Sequence, residues 1–363
     1  MIYRPDVIYI ESDAAEAPLT RRVRERFPQT PVIMQPSLEA VMAEIRQTAA
    51  DVFGAAKQRL HLARFKGPFL KKCPGISPGM VCCNYYVVNL IKNCIYDCSY
   101  CFLQDFLDNN PLMTAFVNVD DLLAELDEVF SANPDHTFRV GTGELTDSLA
   151  LDEVLPYSQT LLPFFNARPN AVLELKTKSD RVANLLSHPD PTNIIVSWSL
   201  NPAEIAACEE WGAPAIAQRL AAARQCAEKG YRIGFHFDPV ILFPGWENAY
   251  AGLIHTMLES VPPNRIEWIS LGGFRYRPHL KKVIKERHPR TRLFTQEHLP
   301  GEDGKFRYLR PLRKHAFETL RRMIKDRSQE LNVYLCMETS EIWQGVTGKM
   351  PRADKQLDAF FDL

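Results

Sequence analysis

The chain has 363 residues, 46% of them hydrophobic, which provides for a large buried core and excludes a disordered protein. Its formal charge of −1 hides a segregation: residues 275–327 hold 17 Lys/Arg against 6 Asp/Glu, an excess of 11, so the remainder is acidic by 12. Such a chain can turn a basic face to a polyanion while staying near neutral. The N-terminal MIYRPDVIYIES has no apolar core behind a basic flank, and no run of 18 apolar residues occurs, so a cytoplasmic protein without a membrane span is expected. Nine cysteines, three of them bunched, then point to metal or redox chemistry rather than to disulfides.

In chain order, a strand is predicted at 6–11, a helix at 19–27, a strand at 31–35 and a helical stretch at 38–60, together a small N-terminal α/β domain over 1–64. A basic Pro/Gly-rich linker, FKGPFLKKCPGISPGM, fills 65–80. From 81 to 345, apolar and β-branched runs at 85–91, 137–142, 171–177, 193–200, 232–241, 265–272 and 332–337 alternate with helical patterns at 119–130, 215–230 and 246–260. Gly230 suits a helix C-cap, and residues 346–363 form a C-terminal tail. Strand–helix alternation implies a parallel sheet with right-handed crossovers, and about six repeats suit an α/β fold of the partial (β/α)6 TIM-like barrel type. Residues just after each strand are then the candidates for chemistry.

The first barrel strand runs into KNCIYDCSYCFLQDF (92–106), with Cys94, Cys98 and Cys101 at three-then-two spacing. Thiolates suit zinc or iron–sulfur clusters. Zinc sites commonly pair two C-x2-C arms, and no second arm occurs here, although a remote ligand could complete a structural zinc site. Three thiolates on a 4Fe–4S cluster leave one iron open, and an open position marks a catalytic metal site.

This C-x3-C-x2-C loop resembles the signature of radical S-adenosylmethionine (SAM) enzymes. CSYCFLQ (98–104), VNVDDLL (117–123), TDSLALD (146–152), TK (177–178), SLN (199–201), RLAAAR (219–224), GYRIGFHFDPVI (230–241), GWENAY (245–250) and HPRTRL (288–293) follow the order of the spore photoproduct lyase family within it. The resemblance implies a 4Fe–4S cluster on the three cysteines and SAM on its open iron. It also implies a 5′-deoxyadenosyl radical, cleavage of a methylene-bridged thymine dimer in DNA, and a reductant such as flavodoxin or ferredoxin. A monomer is expected. Tyr100 corresponds to the aromatic beside the adenine. Gly141, Gly143 and Glu144 resemble the Gly-Gly-Glu element that holds the SAM amino group, where glycines allow close backbone approach. Lys178 is assigned to the SAM carboxylate, and Ser199 and Asn201 to ribose or carboxylate, Asn201 equally suiting a helix N-cap. Asp238 is placed on the same cavity.

Two departures stand out. Glu144 occupies the place of the cysteine that returns a hydrogen atom in that family, and Phe102 replaces the tyrosine of its hydrogen relay. Cys336, near the end of the last strand, is the candidate replacement, with Tyr100 as the second candidate catalytic residue. Cys82 and Cys83 form another thiol pair, Cys73 could join them in a second metal site, and Cys208 and Cys226 read as core. The segment GEDGKFRYLRPLRK (301–314) reads as a turn flanked by basic and aromatic residues, and the family resemblance implies a DNA-inserting hairpin with Arg307 and Tyr308 at its tip; Arg310, Arg313 and Lys314 are then expected on phosphates. Two other readings stand beside lesion repair: a radical SAM enzyme for another nucleic-acid or peptide substrate, and a non-catalytic nucleic-acid-binding protein with a structural metal site.

Overall fold

The apolar runs expected as barrel strands pair side by side in chain order. In the computed structural model, which describes residues 3–75, 79–81 and 83–349, seven parallel strands run through one sheet, with Lys71–Lys72 antiparallel at its edge. They are Tyr85–Val87, Phe138–Gly141, Ala171–Thr177, Ile194–Ser199, Arg232–Val240, Ile266–Gly273 and Val333–Leu335. The first and last strands do not pair, so the barrel is open, and six crossovers join its strands as the repeat count predicted. Strands such as Ala171–Thr177 are buried on both faces, which is why they read as apolar runs without alternation. Helices including Val119–Ala132, Ile216–Lys229 and Trp246–Ser260 cross over between them. Gly230 closes the second of these at φ +113°, a left-handed conformation that favours glycine.

The N-terminal region is not the self-contained unit expected over 1–64. Val7–Ile10 pairs in parallel with Val32–Met34 and Arg59–Ala63, but Met113–Phe116 and Ile91–Lys92, from beyond the first barrel strand, complete this second sheet. Ile8, Leu60 and Met113 belong to the same buried core as Phe138, Val140 and Leu151 of the barrel side. Three short strands bury too little surface alone, and the chain returns after residue 90 to finish the job. Packing is therefore continuous across the expected boundary. Cys82 and residues 350–363 lie outside the described residues.

Side chains alternate between faces along a strand, so residues two apart form successive layers inside the barrel. The lower layer is a charge network. Glu174, 1% exposed, accepts from Arg139 Nη2 at 2.9 Å, Ser197 Oγ at 2.6 Å and Trp268 Nε1 at 3.2 Å, with His236 Nε2 at 2.7 Å. Arg139 Nη2 also donates to Tyr334 Oη at 3.0 Å. Burial opposes the Glu174 charge, but Arg139 and His236 outweigh it and hold the carboxyl well below its usual range. Burial pushes the His236 imidazole down to about 4, so a neutral ring donates to this carboxylate. The layer above consists of Gly141, Lys176, Ser199, Asp238 and Cys336, each two residues further along its strand, with Gly272 four residues beyond Trp268. A Cβ at Gly141 would sit 1.6 Å from Tyr85 Oη, and one at Gly272 would sit 2.7 Å from the Asp238 carboxylate.

Because Glu174 titrates lower when folded than unfolded, its stabilisation is present above the unfolded carboxylate pKa of about 4 and disappears as pH falls through the folded value. Glu174→Gln strands Arg139 and should cost about 3–5 kcal/mol at pH 7. The same variant should show a flatter decline of Tm on acidification below about pH 4 than the parent protein. Thermal melts across pH check both, and an equally steep decline would assign the acid sensitivity to other carboxylates.

Candidate active site

The cluster loop leaves the first barrel strand through Asn93, at φ +75°, whose Oδ1 accepts from the Cys94 amide at 2.8 Å. Three straps then fix it. Gln104 Nε2 donates to the carbonyls of Cys98, Ser99 and Cys101 at 3.3, 2.8 and 3.1 Å. Lys57 Nζ reaches the Tyr96 carbonyl at 2.5 Å and Asp97 Oδ1 at 3.0 Å. Asp97–Cys98 pairs antiparallel with Glu210–Trp211, beyond the fourth barrel strand. All three thiols are at least partly buried, and burial pushes the Cys94 thiol up to about 12 and the other two upward, so ligation displaces protons. Among the described residues no group of three or more His, Cys, Asp or Glu side chains is gathered to hold a single metal ion. A cubane spreads its thiolates over separate irons, and three cysteines on one loop suit that arrangement.

Beside the loop, the sequence candidates for SAM converge on a carboxylate that sequence reading missed. Glu210, 2% exposed, accepts from Tyr100 Oη and from Asn201 Nδ2 at 3.0 Å, and pairs with Arg219 Nη2 at 2.5 Å. Asn201 Oδ1 accepts from Tyr250 Oη at 3.0 Å, so Asn201 is a buried bridge rather than a helix cap. Lys178 Nζ lies 5.5 Å over the Tyr100 ring. Although burial disfavours its charge, Cys98 and Glu210 keep the Lys178 ammonium's pKa above its ordinary value. Likewise Arg219 and Lys178 outweigh burial and keep Glu210 ionised. The backbone of Lys178 is fixed by Asp147, whose Oδ2 accepts its amide at 2.6 Å while Oδ1 takes Thr177 Oγ1 at 2.6 Å and the amides of Leu149 and Ala150. Only the EE doublet at 209–210 and the position of Asp147 after a strand hinted at these roles. Nothing in the sequence says which charges will be buried.

The Gly-Gly-Glu expectation divides. Gly141 lacks a side chain because Tyr85 fills that space, whereas at Gly143 a Cβ would meet the Lys176 backbone oxygen and Ser148 Oγ at 3.2 Å. Glu144 Oε2 accepts from Asn89 Nδ2 at 2.6 Å. Above the Glu174 layer, Asp238 is held by Arg275 in a two-point pair at 2.9 and 3.2 Å, and Arg275 and Lys176 overcome its burial to hold the carboxyl far below its usual range. Cys336 sits in this layer: its amide bonds the Leu271 carbonyl at 2.8 Å, and it lies two residues beyond lumen-facing Tyr334. Burial, then Asp238, pushes its thiol upward.

Eight of the seventeen cations in the basic segment have a carboxylate within 4.0 Å. His298–Pro300 and Phe306–Tyr308 form the expected hairpin, but Arg307 and Tyr308 lie in its strand, 3% and 2% exposed, not at its tip. Arg307 pairs with Asp303 of the turn, and Tyr308 Oη accepts the Leu242 amide at 3.1 Å. Arg313 is buried against Glu338 at 3.0 Å, while Arg310 and Lys314 pair with Glu341 and Glu318 at 2.6 and 3.7 Å. Burying a guanidinium requires a carboxylate partner, which removes it from phosphate duty. Exposed cations of this segment without a carboxylate within 4.0 Å include Arg277, Lys281, Lys285, Arg290 and Arg292, on and around the helix Pro278–Arg287, and Arg322 and Arg327 near the end of the helix Arg310–Lys325.

The sequence model for spore photoproduct lyase matches residues 3–333. The chain is similar to the spore photoproduct lyases of Geobacillus sp., at 26% identity over 81% of this chain and 85% of the relative, and of Bacillus subtilis, at 23% over the same shares. A solved spore photoproduct lyase complexed with dinucleoside spore photoproduct has the same fold, with TM-score 0.81 and 24% identity over 92% of this chain and 99% of the other. A variant with bound AdoMet and the same dinucleoside gives 0.78 at 24% identity, over 93% and 99%. With the cysteine loop on the first strand of a partial barrel and the match spanning nearly its whole length, this chain belongs to the spore photoproduct lyase family of radical SAM enzymes.

Proposed function

We propose that this protein is a radical SAM lyase that repairs a thymine-dimer lesion of the spore photoproduct type in DNA. The observation that carries this reading is the gathering of a three-cysteine loop, the Lys178–Tyr100–Glu210 group and a lumen-facing cysteine at the carboxyl ends of the barrel strands. Cys94, Cys98 and Cys101 would hold the 4Fe–4S cluster; Lys178, Ser199 and Asn201, with Gly143, Glu144 and the Gly141 backbone, would hold SAM. Bound together, the cluster and SAM would supply one-electron reductive cleavage of SAM and the radical chemistry that opens the lesion.

The chain's own residues orient and complete the chemistry. Glu210 commits the Tyr100 O–H, so Tyr100 presents its ring face to the cofactor rather than a hydrogen. Cys336 returns hydrogen after fragmentation: its raised pKa keeps the S–H that a hydrogen-atom donor needs, whereas the Glu144 carboxyl offers no weak bond to hydrogen. The exposed cations Arg277, Lys281, Lys285, Arg290 and Arg292 take the role of phosphate contacts. A flavodoxin- or ferredoxin-type reductant, a monomeric state and a cytoplasmic location complete the reading; among the described residues no helix is long and apolar enough to cross a membrane. The substitution of Glu144 and Phe102 at the hydrogen-return positions favours one second reading, a radical reaction on a different nucleic-acid adduct.

Anaerobically reconstituted protein should bind iron and sulfide and form 5′-deoxyadenosine together with repaired thymine on DNA carrying spore photoproduct. Nucleoside formation indifferent to that lesion would overturn the substrate, and uptake of one zinc without iron would overturn the radical chemistry. Cys336→Ala should keep SAM cleavage and divert more than about tenfold of the product from thymine to radical-quenched adducts; an unchanged product ratio would remove Cys336 as donor. Lys281→Ala with Lys285→Ala should reduce the slope of log affinity for DNA against log salt by about 2. Arg307→Ala should instead lower Tm, because it leaves the buried Asp303 carboxylate with only the longer Lys305 pair at 3.6 Å.

A further inference from the structure

Of the charged side chains in the two lumen layers, Lys176 is the one that no opposite charge balances. Arg139 pairs with Glu174, and Asp238 with Arg275. Lys176 has neither a carboxylate within 4.0 Å nor a side-chain hydrogen bond among the described residues. Its direction follows from its strand, Ala171–Thr177, where it stands two positions after Glu174 and opposite Ser197. Side chains alternate along a strand, so Lys176 faces the lumen as Glu174 does. Its carbonyl accepts the Ser148 amide at 3.1 Å, and a Cβ at Gly143 would lie 3.2 Å from the Lys176 Cβ. The stem is therefore packed at its base, and the residue as a whole is only partly buried.

The charge of Lys176 acts across the lumen on groups from other strands. At His236 burial comes first and Lys176 second in pushing the imidazole down. At Asp238, Arg275 and then Lys176 overcome burial. At Cys336 burial and then Asp238 raise the thiol, and Lys176 is among the cations that oppose them. Asp238 is already committed, since its two oxygens take Arg275 at 2.9 and 3.2 Å. A ligand that fills the lumen would strip water from this ammonium, and the ligand must then supply the acceptor.

We infer that Lys176 is a lesion-binding residue, whose ammonium donates to a carbonyl oxygen of the pyrimidine to which Cys336 returns hydrogen. This assignment rests on the repair reading proposed above. The chemistry of the ring links the two residues. In thymine one carbonyl is bonded to the ring carbon that bears the methyl group, so a donor on that oxygen fixes the position of the carbon that must receive hydrogen. Lys176 and Cys336 share one layer, which lets one hold the oxygen while the other serves the neighbouring carbon. An ammonium offers three donors and a compact charge, and a charge-assisted bond of this kind is about twice as strong as a neutral one. The carbonyl is present in lesion and product alike, so the contact is read in affinity. Lys178, two positions further along, belongs to SAM in the same reading, and the two lysines divide cofactor from substrate.

Equilibrium dialysis of the anaerobically reconstituted protein, with SAM and without reductant, tests this on two probes. One is the dinucleoside spore photoproduct, which has no phosphate, and the other is the same lesion in an oligonucleotide. Lys176→Met should weaken binding of both by about tenfold or more, the loss of one charge-assisted contact. Lys176→Arg, which keeps a cation on a long stem, should recover most of that loss, and affinity for SAM alone should not change in either variant. Lys176→Gln gives a second reading in case the Met variant folds poorly. The assignment is overturned if neither Lys176→Met nor Lys176→Gln weakens binding of the dinucleoside, if only the oligonucleotide is affected, so that the cation reads phosphate, or if SAM affinity falls equally. If the unsubstituted protein binds neither probe, the repair reading itself falls and this assignment with it.

Discussion

The short antiparallel pairing of Asp97–Cys98 with Glu210–Trp211 is the contact on which the site depends. It ties the loop after the first barrel strand to the segment beyond the fourth, so that neighbouring carboxylates do opposite tasks. Glu209 receives Ser99 on the cluster loop together with Thr291 Oγ1 at 2.8 Å and the Arg292 amide at 2.6 Å. Glu210 turns the other way and collects Tyr100, Asn201 and Arg219. A carboxylate removed from water needs full compensation, and here two of the residues that compensate it, Tyr100 and Asn201, are among those proposed to hold the cofactor. Stability and pre-organisation therefore come from the same interactions.

The barrel interior repeats this logic one layer at a time. Glu174 with Arg139 and His236 forms a closed network deep in the lumen, and Asp238 with Arg275 forms a second above it. In the upper layer Gly141 and Gly272 yield their side-chain space to Tyr85 and Asp238. Cys336 shares that upper layer. A thiol there lies among charges yet keeps its proton, which is the state needed for hydrogen-atom return rather than nucleophilic attack.

Net charge along the chain was a poor guide to the surface. Of the cations in the basic segment, Arg275, Arg287, Arg307 and Arg313 are held by Asp238, Asp51 and Asp97, Asp303 and Glu338. Several of those carboxylates lie far away in sequence, in the part of the chain that is acidic overall. Segregation in sequence is thus partly undone by folding, because a guanidinium that packs against the core draws in a carboxylate from wherever the fold supplies one. The exposed helix Pro278–Arg287 and its flanks carry the densest group of cations left for a polyanion.

The sequence by itself determined the order of the barrel strands and the cysteine loop at the end of the first. These rest on local periodicity and on spacing within eight residues, which need no knowledge of distant neighbours. It also placed Lys178, Ser199 and Asn201 at strand ends, where a parallel barrel puts its chemistry. Only the tertiary structure decided that Glu210, Asp147 and Glu174 are the carboxylates around which those residues are organised, that Tyr85 accounts for Gly141, and that Arg307 is buried. It alone carried the sheet of the N-terminal region past residue 64 to strands at 91–92 and 113–116. The reason is physical: a charged residue has the same local signature whether it meets water or an ion-pair partner, and that choice is made by elements brought together from far apart in the chain.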